Sequence, residues 1–190
     1  QRADGSFTIT VVDPVLATPH ALVVLLEAGF AADRPSVERG FAFLKRQGGF
    51  DTIEKLGRTV EALAVWGRDR PWLEEAVGDL LEERTKSGGW TFRPGHPEDP
   101  FDAESTAHAL AGLSAAAAAG IRVPPAVWTE AIAGLFSLRA PDGTWRHPEE
   151  EPFPPIRRTA AALAGLLLAR ARATGLDPEA YLSLLGAFLV

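Results

Sequence analysis

Cysteine is absent from the 190 residues, which excludes disulfides, thiolate zinc sites and a cysteine nucleophile. The same absence leaves the redox compartment open, with the cytoplasm as the working assignment. Runs of basic residues are missing and the formal net charge is -6, so the attraction that dominates nucleic-acid binding is lacking and no nucleic-acid partner is expected. The longest strongly apolar run, Ala160 to Ala169, is about half of the roughly 20 residues that a bilayer span requires, so it predicts a buried helix and no transmembrane segment. Methionine is absent and the first residue is Gln1, which predicts a fragment or processed part of a longer protein. No phosphate loop, serine-histidine-acid triad or nucleotide fingerprint occurs.

What is present repeats. A glycine followed two residues later by an aromatic occurs at Gly5/Phe7, Gly48/Phe50, Gly88/Trp90 and Gly143/Trp145, the glycines lying 43, 40 and 55 residues apart. After each comes Thr-x-x-Ala-Leu, beginning at Thr18, Thr59, Thr106 and Thr159. A proline then opens a second helix, at Pro35, Pro71, Pro125 and Pro178, where its missing N–H would lack an intrahelical partner in any case. Three markers in constant order predict four units of two helices, approximately 1–47, 48–87, 88–142 and 143–190, within one domain.

The two helices of a unit differ in their surface pattern. From Pro71 to Arg84, the residues Trp72, Ala76, Val77, Leu80 and Leu81 form one stripe. Glu74, Glu75, Asp79, Glu82 and Glu83 occupy the other face, as expected of an outer, half-exposed helix. The segments Thr106 to Ala119 and Thr159 to Ala169 are small and apolar nearly all round, and read as inner helices covered on most sides. The expectation is an all-α fold of about eight helices: an α/α toroid, closed as a barrel or open as an arc.

The third unit runs Gly88-Gly89-Trp90-Thr91-Phe92, through a proline-rich loop to Pro100, then Phe101-Asp102-Ala103-Glu104-Ser105-Thr106-Ala107. It resembles the segment of squalene-hopene cyclases and other class II terpene cyclases in which a glycine-tryptophan turn leads to an Asp-x-Asp-Asp-Thr-Ala helix start. As repeats, the likeness extends over the whole chain and to prenyltransferase β-subunits. It implies an isoprenoid or other apolar ligand in a central cavity and, for an enzyme, a cyclase-like isomerase or lyase. The central acid of the family's motif protonates an alkene or epoxide. That task needs a carboxyl kept protonated by desolvation or a neighbouring negative charge. By position Asp102 and Glu104 stand for the first two acids, while Ser105 replaces the third, so the motif is degenerate. Asp102 or Ser105 as a simple helix cap is the competing reading. The zinc of the prenyltransferases, and the thioester of the complement domains that share the toroid, both require a cysteine that this chain lacks.

Two residues after the repeat threonine stand His20, Glu61, His108 and Ala161. Imidazole and carboxylate together suit zinc, and a histidine paired with a neighbouring acid accounts for them equally well, so no metal or other cofactor is assigned. Glu104 and His108, one helical turn apart, are such a pair. Trp66, Trp90, Phe92, Trp128 and Trp145 are candidates to line a hydrocarbon cavity, or to be core. The irregular stretches 93–100 and 147–155 are candidate binding loops.

Three functions stay open at this level. One is a cyclase-like site carried by Glu104 and Asp102, with His20, Glu61, Trp66, Phe92 and His108 as ligand contacts. Another is a non-catalytic helical scaffold for a protein partner, which a second copy or the rest of a longer chain would complete. The third is an α/α-barrel carbohydrate enzyme, for which Glu61 is the sole acid to accompany Glu104.

Overall fold

In the computed structural model, described for residues 1–7, 13–96, 100–145 and 156–174, the chain is all-α. Seven helices are seen: α1 (Pro14–Glu27), α2 (Pro35–Lys45), α3 (Ile53–Trp66), α4 (Arg70–Glu82), α5 (Ala103–Ala118), α6 (Pro125–Ser137) and α7 (Ile156–Thr174). The helix expected from Pro178 and the loop 147–155 lie outside the described residues.

Local chemistry sets where the helices begin. Asp13, Thr52, Asp69 and Asp102 each place a side-chain oxygen on amides of the first turn that have no intrahelical partner. Pro35 and Pro125 stand at the first position of α2 and α6, and Pro71 in the first turn of α4. After α3, Gly67 adopts the left-handed conformation at φ 67° and stops the helix.

The odd-numbered helices pack side by side in chain order, α1 on α3, α3 on α5, α5 on α7. The even-numbered ones lie against this row, α2 on α1, α4 on α3 and α5, α6 chiefly on α7. The α3–α5 contact is the most extensive, and it rests on two glycines. A Cβ at Gly57 would stand 2.5 Å from the His108 carbonyl oxygen, and one at Gly112 would stand 2.5 Å from the Gly57 carbonyl oxygen. Only glycine lets the two backbones meet so closely. Between α5 and α7 the same device is milder, with Gly165 facing Ala107.

Leu22, Phe41, Leu44, Ile53, Leu63, Leu80, Trp90, Leu110, Leu113 and Leu135 are fully buried and join one core. Each large side chain withdrawn from water in this way contributes about 1.5–3 kcal/mol, before the entropy of ordering it is set against the gain.

Two expectations change in detail. On α4 the buried set is Leu73, Ala76, Val77 and Leu80, while Trp72 and Leu81 are only half-buried. The stripe is therefore rotated toward Leu73, which faces the core at 3 % exposure. The apolar run Ala160 to Ala169 is not covered all round. Ala160 and Ala164 are exposed and Leu163 is 48 % exposed, because α7 packs on α5 and α6 along part of its surface only. No described helix is long and apolar enough to cross a membrane.

Candidate functional site

In α3 and α5, the central pair of the odd-numbered row, one stripe stays unburied, and the sequence-selected polar residues of these helices fall on it. In α5, Glu104, His108, Ala111 and Ala115 are half-exposed, while nearly everything else up to Ala116 is buried. This is the i, i+4, i+7, i+11 spacing of one helix face. In α3 the corresponding stripe carries Glu54, Arg58 and Glu61, all half-buried, and in α1 His20 is exposed.

These groups are already engaged with one another. His108 Nε2 stands 3.3 Å from Glu54 Oε1 across the α3–α5 contact, which adds an acid from another helix to the Glu104 partner expected by spacing. Arg58 donates to Glu61 Oε2 at 2.9 Å within α3. The Arg58 Nε is buried without a hydrogen-bond partner. His20 turns back on its own helix, its Nδ1 lying 3.1 Å from the Leu16 carbonyl oxygen. His20, Glu61 and His108 are not gathered, and among the described residues no group of three or more such side chains is placed to hold a metal ion. Glu54 and Arg58 were not selected from the sequence. Their signal was the 54–58–61 spacing, which puts them on the Glu61 face of α3.

Asp102 acts as a cap. Its Oδ1 accepts the amides of Glu104 at 2.9 Å and Ser105 at 2.8 Å, and so stabilises the first turn of α5. Ser105 is buried at 3 % exposure and Glu104 is half-exposed.

The aromatic candidates separate sharply. Trp66 stacks on Phe41 with ring centroids 4.0 Å apart and donates its indole N–H to the Ala32 carbonyl at 3.1 Å, tying α3 to α2 and the loop before it. Trp90, Trp128 and Trp145 are core. Trp90 and Trp145 each donate the indole N–H to a carbonyl ten residues upstream, Leu80 and Leu135, both at 2.6 Å. Phe92 is 56 % exposed, and its carbonyl accepts from Ile53 N at 3.1 Å.

A cleft of about 410 Å³ lies elsewhere, between the Gly48–Phe50 turn and α4. Phe50, Leu56, Trp72 and Ala76 supply apolar walls, and Glu75, Asp79, Glu82 and Glu83 line it with carboxylates. The sequence reading placed those acids on a solvated face and did not anticipate a cleft.

Comparison with protein-family models, with curated proteins and with solved structures returned no match.

Proposed function

We propose that this chain is a non-catalytic scaffold segment of a terpenoid cyclase-like α/α toroid, in which the odd-numbered helices form the inner layer and the even-numbered helices the jacket. The side-by-side order α1, α3, α5, α7 and the half-exposed amphipathic α4 support that arrangement. The observation that carries the functional reading is the use of Asp102, whose Oδ1 takes two amides of the α5 start. The acid motif serves the helix. A proton donor of the cyclase type needs a water-excluding apolar cavity, and the face that bears Glu104 carries His108, Glu54, Arg58 and Glu61 instead. Charged side chains paired in advance present a polar surface, which is costly to strip of water against a hydrocarbon.

The test is a thermal-unfolding and product assay with squalene and geranylgeranyl diphosphate. The scaffold reading expects no cyclised product and no change in Tm, since ligand that binds only the folded state would raise it. A cyclised product, or a Tm increase abolished in Glu104→Gln, would replace this reading with the cyclase-like one.

A further inference from the structure

The cleft beside α4 exists because one of four equivalent turns does not close. In the turns 2–6, 85–89 and 140–144 the same two backbone bonds occur: Arg2, Thr85 and Ala140 donate to the carbonyls four residues on, and Gly5, Gly88 and Gly143 donate back. Gly5 and Gly88 then press against the backbone of the following outer helix, at the Arg39 and Glu130 carbonyls. The second turn has neither feature. Its Gly48 has nothing within 4 Å of where a Cβ would stand, and the space between it and α4 is the cleft.

The walls of the cleft specify a charge. Among the described residues Glu75, Asp79 and Glu82 have no ion-pair partner, while Glu83 accepts the Gly95 amide at 2.6 Å. Lys45 is the one lysine or arginine among the described lining residues, and its charge is already engaged: its Nζ lies 2.8 Å from Asp69 Oδ2 and 5.3 Å from the centre of the Trp72 ring. The chain's own alkylammonium thus shows how an aliphatic stem with a cationic head fits against this aromatic wall. Three carboxylates along the rim are left without a compensating charge among the described residues.

We infer that this cleft docks a basic, extended segment of a partner protein. An arginine or lysine of that segment places its head among Glu75, Asp79 and Glu82, and its stem or an adjacent apolar side chain covers Phe50 and Trp72. The volume, about 410 Å³, admits one or two side chains and not a folded element. Naming a protein as the occupant rests on the scaffold reading; the charge and shape of the site do not.

The experiment is fluorescence anisotropy on the full chain with a fluorescein-labelled peptide of alternating arginine and leucine, against the same peptide with glutamine for arginine. The arginine peptide is expected to bind, the glutamine peptide to bind at least about tenfold more weakly, and Glu75→Gln/Asp79→Asn/Glu82→Gln to lose a similar factor. Trp72→Ala is a second variant that leaves the charges in place, and it too should weaken binding. Glu27→Gln/Asp33→Asn, which removes charge elsewhere, should bind as the parent does. Absence of binding, or equal loss in the Glu27/Asp33 variant, overturns the site. Displacement by spermidine at the peptide's own concentration overturns the peptide as occupant. A cyclised isoprenoid in the product assay would sink the scaffold reading without touching these results.

Discussion

The hydroxyl of Thr106 accepts the amide of Trp90 at 3.0 Å, inside the core and sixteen residues along the chain. Thr18 does the same for Phe7 at 3.0 Å and Thr159 for Trp145 at 3.2 Å. Thr59 does not, and its Oγ1 is buried without a hydrogen-bond partner. The reason is register. Thr106 and Thr159 are the fourth residues of α5 and α7 and Thr18 the fifth of α1, but Thr59 is the seventh of α3. At 1.5 Å per residue that sets its hydroxyl roughly 3–4.5 Å further from the start of its helix than in the other units.

The first prediction follows from this contrast. Thr106→Val strands a buried amide and should cost about 1–3 kcal/mol, whereas Thr59→Val removes an unpaired hydroxyl at almost no cost or with a small gain. Urea denaturation of the two variants measures the difference, and equal losses would refute the assignment.

Glycine at the helix contact gives a second test. Gly57→Ala and Gly112→Ala improve helix propensity yet drive a methyl to 2.5 Å from a facing carbonyl oxygen, so sterics should win and destabilise by about 1–3 kcal/mol. Gly78, in α4, has nothing within 4 Å, and Gly78→Ala should instead stabilise by about 0.5–1 kcal/mol. Thermal melts should show opposite signs.

Removing the α5 cap is the third. Asp102→Ala should cost about 1 kcal/mol, with Asp102→Ser recovering most of it. Glu104→Gln keeps the cap, whose oxygen belongs to Asp102, and should cost less than Asp102→Ala. A larger loss for Glu104→Gln than for Asp102→Ala would contradict the assignment.

The pH dependence has a definite sign. The hydrogen bond from Lys55 holds the Asp13 carboxyl below its ordinary value against the opposing effect of burial, and Lys45 does the same for Asp69. Such groups contribute stability that is complete above their unfolded value, roughly pH 4, and is lost as pH falls through the folded one. For Lys55, burial pulls its affinity for protons down, but hydrogen bonds to Asp13 and Asp51 prevail and raise it. Its contribution is present below roughly pH 10 and lost as pH rises through the folded value. Tm should therefore fall at the acid end, and Asp13→Asn should flatten that limb. An unchanged acid limb in the variant would show that the pair does not act.

Much of this was legible in the residues alone. Asp102 as a cap depends on nearest-neighbour chemistry, in which a carboxylate two and three residues before free amides has few other places to go. The prolines and the left-handed glycines Gly5, Gly48, Gly88 and Gly143 are equally local, and all four glycines have φ between 69° and 95°. Helical class and the amphipathic α4 came from periodicity, which reports burial averaged over a face. Tertiary structure decided the rest, because it depends on distances between helices that sequence spacing does not encode. It set Glu54 beside His108, turned Trp66 onto Phe41, and rotated the α4 stripe toward Leu73. It also left the second of four similar turns open, and left Thr59, two or three residues further into its helix than its counterparts, without the amide that they hold.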